Sequence, residues 1–246
     1  MCILVFDWQP DSAQPLLLLA NRDEFHKRPT APLAQWIDLP AVHAGRDLEA
    51  GGSWLGAAPG RRFAALTNIR DRKPPQARSR GELVSDYLAG QQAPGEYLEA
   101  LAGQAGEYSG FNLLVGDARE LWFLDSRSRQ LQLLAPGIYA LSNATLDTPW
   151  PKLVRLRTAF SRIDPDDDAA LFALMQDEWR PPMRMLPDTG MGPFIERSLS
   201  SIFIRGEEYG TRATSLLRMN ASGIQLTERS FTINGAATGE CSLMVG

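Results

Sequence analysis

The chain opens on CILVFDW, residues 2–8, an apolar run rich in β-branched and aromatic side chains. A short stretch of turn chemistry, QPDSAQP, separates it from a second run, LLLLA, at residues 16–20. Runs of this length bounded by Pro, Asp and Ser read as strands, and so short a polar connection joins them as an antiparallel hairpin. That hairpin constrains everything after it. It puts the start of the chain inside a sheet and brings the far end of the second strand back beside it. The residues following LLLLA are Asn21, Arg22, Asp23 and Glu24, four hydrogen-bonding side chains in a row. They are therefore expected near Cys2.

The rest of the chain reads as one layered domain, 1–246. A length of 246 residues suits a single α/β or α+β domain, and 44% hydrophobic residues supply a sizeable core. Lys and Arg number 25 against 29 Asp and Glu, interleaved to a net charge of −4. That argues against a nucleic-acid surface, which needs clustered cations. The two cysteines, Cys2 and Cys241, stand near opposite ends with no CxxC or Cys/His spacing, so neither a disulfide framework nor a metal site is expected. No basic segment followed by an apolar one marks a secretory leader. No apolar run approaches the roughly 20 residues that cross a bilayer. The expectation is a soluble, cytoplasmic protein without a membrane span or a cofactor, its oligomeric state open.

Further strands are predicted at SWLGAA and RFAALTN, joined at Pro59-Gly60, and at GFNLLVGD, LWFLD, LQLLAPG and IYALSN. Helices are predicted at SRGELVSDYLAG, APGEYLEALAGQ, PWPKLVRLRTAFSRI and DPDDDAALFALMQDEW. Arg28 to about Gly45 and Pro181 to Pro193 read as loops, and the chain closes on strands near SLSSIFIR, TRATSLLRMN and GIQLTERSFTI. Strands at both ends with two helix pairs between them suggest packed sheets covered by helices. Asp164, Asp166 and Asp168 alternate as in a calcium loop, but Ala169 and Met175 stand where that loop needs Gly and Glu. These acids are read as a helix N-terminus, where the dipole favours negative charge. Trp36, Trp54, Trp122 and Trp150 are read as packing, and Cys241 as a loose thiol in a Gly- and Ser-containing tail.

Cys2 is the residue with chemistry to offer. Methionine is efficiently removed before a small residue, which would leave Cys2 with a thiol and a free α-amine. Their reference pKa values are about 8.5 and about 7.7–8.0. The amine can then take the thiol's proton near neutral pH, so a nucleophile is activated without histidine. Histidine is scarce, with only His26 and His43. A guanidinium close to the thiol favours the thiolate, and a carboxylate can hold an ammonium.

The blocks NRDEFHKRPT, GRDLEAGGSWLG, ALTNIRD, SRGELV, GFNLLVGD, LSNATLDTPWPK, SLSSIFI and YGTRATS, with MC at the start, resemble in order those of the NRDE family. That group includes transport and Golgi organization proteins. The resemblance spans almost the whole chain. It implies an α+β fold similar to N-terminal nucleophile hydrolases, a four-layer αββα sandwich of two antiparallel sheets. Among those hydrolases the pattern looks like the cholylglycine hydrolase and penicillin V acylase group. By that likeness Cys2 is the nucleophile, Arg22 supports the thiolate and Asp23 orients the α-amine or the leaving amine. Arg22 and Asp23 are adjacent here, whereas the acylases separate the two residues. Asn143 resembles the oxyanion-hole asparagine, with Asn68 a second candidate, and Arg212 the late arginine of the same site. The implied activity is an N-terminal-cysteine amidohydrolase or acyltransferase acting on a small-molecule amide or acyl compound. The other reading is a binding or trafficking protein for a hydrophobic ligand (haem, acyl-CoA or lipid) on the same scaffold.

Overall fold

A computed structural model describes residues 2–70, 76 and 78–246. Met1, whose removal is at issue, and Asp71 of the ALTNIRD block lie outside the described residues. Two antiparallel sheets face each other. In chain order the strands of the first are β1 (Cys2–Trp8), β2 (Leu16–Phe25), β10 (Gly137–Leu141), β11 (Tyr209–Asn220), β12 (Gly223–Phe231) and β13 (Ala237–Val245). They lie in the order β10-β1-β2-β11-β12-β13. The second sheet runs β3 (Thr30–Gln35), β4 (His43–Asp47), β5 (Leu55–Ala58), β6 (Arg62–Asn68), β7 (Phe111–Gly116), β8 (Leu121–Asp125) and β9 (Gln130–Leu133), each beside the next.

Side-chain alternation along each strand builds three apolar layers. Leu4, Phe6, Trp8, Leu16 and Leu18 meet Leu55, Phe63, Leu114 and Phe123 between the sheets. The other face of β1 and β2, with Ile3, Val5, Leu17 and Leu19, is covered by α3 (Pro151–Phe160) and α4 (Asp168–Leu174). Helices α1 (Gly81–Ala89) and α2 (Pro94–Ala102) cover the outer face of the second sheet through Leu83, Val84, Leu88 and Leu98. The predicted α+β sandwich of two antiparallel sheets, with helices outside both, is the observed architecture. Asp167 caps α4 by accepting from the Ala170 N–H at 2.9 Å, the helix-start role read for this acidic run.

The differences from the sequence reading have physical causes. The expected loop from Arg28 to Gly45 contains β3 and β4. In TAPLAQ only Leu33 is buried, and Pro32 sits where the ladder shifts register, tolerable because β3 is an edge strand. SLSSIFIR is no strand. Short helix α5 (Pro193–Ser198) precedes it, and single bonds such as Phe203 N–H to the Asp177 carbonyl (2.9 Å) hold its apolar residues. The C-terminal tail forms β13, with Cys241, Leu243 and Val245 packed toward the inter-sheet core. Its period-two pattern is masked by intervening Gly, Ser and Glu. β2 runs on to Phe25 because β11 pairs with it throughout, Tyr209 opposite Phe25.

One contact ties the sheets together at the end of the sandwich where Cys2 lies, and a second packs tightly beside it. Buried Glu228 of β12 accepts the Leu33 N–H of β3 at 2.9 Å. Gly45 of β4 lets the Trp54 ring lie directly on its backbone, and an added Cβ there would collide with the indole and lie 3.2 Å from Glu228 Oε2. Gly45→Ala is expected to destabilise the fold by about 1–3 kcal/mol through overpacking, read as a lower urea midpoint with an unchanged slope.

Candidate functional site

The hairpin register sets Cys2 opposite Arg22. Both side chains enter the space between the sheets, in phase with Leu4 and Ala20. Cys2 is 9% exposed and lines a cavity of about 430 Å³ together with Arg22, Asp23, Trp54 and Asn68. The Arg22 guanidinium lies 4.4 Å from the Trp54 ring centroid, donates to Thr30 Oγ1 at 3.1 Å and stands 3.7 Å from Asp47 Oδ2. Three separate segments thus fix one buried cation: β3, β4 and the turn before β5. Trp54, read from sequence as packing, is also a wall of the cavity.

Asp23 and Asn21 follow the opposite phase. Asn21 is buried on the helix side, donating to the Met175 and Ile202 carbonyls at 2.8 and 3.0 Å and accepting from Thr214. Its backbone pairs with Ile3, next to Cys2, as the hairpin predicts, while its side chain holds the helical layer. Asp23 accepts from Thr211 Oγ1 at 2.7 Å, and its carbonyl accepts from the Tyr209 hydroxyl at 2.9 Å. Burial pushes its carboxyl up to about 6, opposed by the positive chain terminus and by Lys152.

Lys152 was not picked out from the sequence. It is buried in the first turn of α3, with Nζ donating to the Leu199 carbonyl at 3.0 Å. Burial lowers its ammonium to about 8, with Asp23 the leading opposing charge. A signal was present: Lys152 lies four residues before Leu156 and eight before Phe160, on the buried stripe. Beside Lys152 and Trp150, Arg70 and Glu196 form a second unforeseen feature, a buried ion pair at 2.6 Å. The thiol itself is shifted upward, first by burial. The chain terminus and Arg22 pull it down, and Asp23 adds to the rise. Burial thus favours the protonated thiol over the thiolate.

The remaining candidates separate. Asn68 lines the Cys2 cavity. Asn143 lines a neighbouring hollow with Arg70 and Trp150, and donates from Nδ2 to the Asn68 carbonyl at 2.9 Å. Next to it, Ser142 Oγ donates to the Cys2 carbonyl at 3.1 Å. The two asparagines are therefore one unit at the edge of the site. Arg212 lines a different cavity, which it shares with Arg22, and its Nη1 donates to the Phe25, His26 and Arg28 carbonyls at 3.0–3.2 Å. It holds the turn after β2. Among the described residues, no three His, Cys, Asp or Glu side chains converge to hold a metal, and no helix is long and apolar enough to cross a membrane.

The family model for transport and Golgi organisation 2 matches residues 1–232. The chain belongs to that family. It is 32% identical to the mouse transport and Golgi organization 2 homolog, covering 94% of this chain and 93% of the relative. To the human homolog it is 33% identical over the same shares of the two chains, and to the Drosophila melanogaster protein 28%, covering 90% and 88%. Among solved structures it is similar to a C2A mutant of the conjugated bile acid hydrolase from Clostridium perfringens. That match has a TM-score of 0.55 and 10% identity, with 99% of this chain and 92% of the other covered. It is also similar to the Caenorhabditis elegans ortholog of N-acylethanolamine-hydrolyzing acid amidase, with TM-score 0.51, 8% identity and 88% and 92% covered. At such identities the likeness speaks for the fold, that of N-terminal nucleophile hydrolases, and family membership leaves the reaction unassigned.

Because burial raises the Asp23 carboxyl from its ordinary 3.8 to about 6 in the folded chain, its protonated form is favoured by folding, and that contribution is lost as pH rises through the folded value. Asp23→Asn, which keeps an acceptor for Thr211, should therefore match the parent near pH 4 and exceed it above pH 6. The gain should reach about 1–3 kcal/mol, from roughly 1.4 kcal/mol per pKa unit. Urea unfolding at pH 4 and pH 7.5 measures the difference.

Proposed function

We propose that this protein hydrolyses, or transfers the acyl group of, a small-molecule amide, with Cys2 as an N-terminal nucleophile. One observation supports this above the others: the only thiol at the chain start stands in strand register with a buried, three-point-held guanidinium, at a cavity between the sheets. A buried arginine held so firmly is costly to place without a purpose.

The steps follow from the chemistry of the groups. Once Met1 is removed, the α-amine of Cys2 is the base within reach. As Sγ bonds to the amide carbon, the thiol proton passes to that amine, and the electron pair of the C=O moves to oxygen. Arg22 offsets the negative charge that develops on sulfur and oxygen. Asn68, with Asn143 bonded to it, is the proposed source of an amide donor to the oxyanion. The ammonium then returns the proton to the leaving nitrogen, the C–N bond breaks, and a thioester remains. Water, deprotonated by the same amine, releases the acid and restores the thiol; an acceptor amine in place of water gives transfer. Asp23 orients the ammonium, and Lys152 keeps Asp23 in its ionised form. Arg212, whose donors hold the turn after β2, is proposed as a positioning residue for Arg22.

The test has two parts. Intact mass should show a mature chain beginning at Cys2. A panel of acylated amines and amino acids should then reveal at least one substrate. Cys2→Ala should lower its kcat by about a thousandfold or more, as for loss of a covalent nucleophile. Undiminished turnover in Cys2→Ala, or a retained Met1 on an active protein, would exclude this mechanism. Saturable binding of haem, acyl-CoA or a lipid with no turnover of any acyl compound would instead favour the carrier reading of the same scaffold.

A further inference from the structure

The inner face of the first sheet can be followed row by row through its register. One row runs Cys2, Arg22, Ala213, Ser230 and Gly239. The next, one residue pair deeper into the sandwich, runs Leu4, Ala20, Ser215, Glu228 and Cys241. Beyond Arg22 the first row carries only small residues, so little side-chain volume rises from the floor to meet the other sheet. A Cβ placed on Gly239 would meet nothing within 4 Å. The space left is a second cavity of about 410 Å³, lined by Ala213, Ser230, Gly239, Phe231 and Cys241. Arg22 and Trp54 line both cavities, so the two adjoin at the stacked guanidinium and indole.

The two chambers differ in chemistry. Glu24, Arg28, Asp47, Glu49 and Arg80 surround the one at Cys2. The second has Trp54, Phe231, Ala31 and Pro32 as apolar walls, with Arg22, Arg212, Glu228 and the exposed Glu240 as the charged part of its lining. Glu228 is 4% exposed, with Oε1 accepting from Leu33 N–H. The Ser215 side chain also hydrogen-bonds this carboxyl, so the buried acid already has the polar partners it needs and the apolar walls are what an occupant would meet. The volume suits a small organic group.

We infer that the second chamber receives one end of an elongated substrate: a compact, flat, mainly apolar group, aryl or short alkyl. The polar end of the same molecule lies in the Cys2 chamber. The linkage between the two ends rests on the reading of Cys2 as the attacking group, whereas the binding of the apolar end does not.

Cys241 is a built-in reporter, since it lines the chamber and is the only other thiol in the chain. In Cys2→Ala protein, iodoacetamide modifies Cys241 alone, and its rate can be followed by intact mass. Saturating N-benzylacetamide should slow that reaction about fivefold or more, acetamide should leave it unchanged, and Gly239→Leu should abolish the protection. Ser230→Leu fills the same row and replaces Gly239→Leu if that variant loses its cooperative melt. Equal rates with and without N-benzylacetamide would overturn the proposal, as would protection that survives both fillings. Protection without turnover of any acyl amide by the unmutated chain leaves the chamber standing and removes the hydrolase reading. Turnover without protection does the reverse.

Discussion

A single buried guanidinium organises this end of the molecule. Arg22 is 4% exposed, and a cation so placed must find partners on every side. Its partners come from three separate parts of the second sheet's half of the chain: the Trp54 face, the Thr30 hydroxyl and the Asp47 carboxylate. Each of those depends on something else. Trp54 needs Gly45 beneath it, and Asp47 is gripped by Arg28 at 2.6 Å. Through Arg22 the first sheet, which carries the thiol, is locked to the second, which supplies the cavity walls. Losing that arrangement would leave a hydrophobic sandwich with its site undone.

Strand alternation divides the labour between neighbours in sequence. Arg22 points between the sheets and Asn21 toward the helices, where it joins Met175, Ile202 and Thr214. Asp23 shares that outward phase and meets the helical layer's charge, buried Lys152. Cys2, at the end of a strand, is thus flanked by a cation on one face of the sheet and, on the other, by a carboxylate that feels the charge of Lys152. Burial raises the acid and lowers the base, bringing both into the range where protons exchange near neutral pH.

Much of the fold was legible in the chain. The hairpin of CILVFDW and LLLLA, the helices at SRGELV and PWPKLV, and the meander of GFNLLVGD, LWFLD and LQLLAPG all have strong periodicity and clear turn residues. IYALSN, read as the next strand of that run, instead crosses to the first sheet, where β10 pairs with β1. What escaped was edge structure. TAPLAQ buries one side chain, and ATGECSLMV alternates so weakly that Cys241 looked like part of a loose tail. Edge strands bury less and so advertise less. SLSSIFIR misled in the other direction, because its apolar residues are buried by loops and not by a ladder.

For the site, the sequence by itself brought the stretch from Asn21 to Glu24 back beside Cys2, because a strand returning antiparallel ends near the start of its partner. That Arg22 stands opposite Cys2 was decided by the register. The sequence also supplied the family blocks and the candidate asparagines and arginines. Tertiary structure decided the rest. Lys152, Arg70 and Glu196 come together from segments far apart in the chain. Asn143 turned its amide to the Asn68 carbonyl, and Arg212 was found holding the turn after β2. The second chamber exists only because Ala213, Ser230 and Gly239, small residues from three strands, fall in one row. Register within a hairpin is a local property fixed by nearby residues. Cavities, buried pairs and shared walls arise from packing between distant segments, which no local pattern encodes.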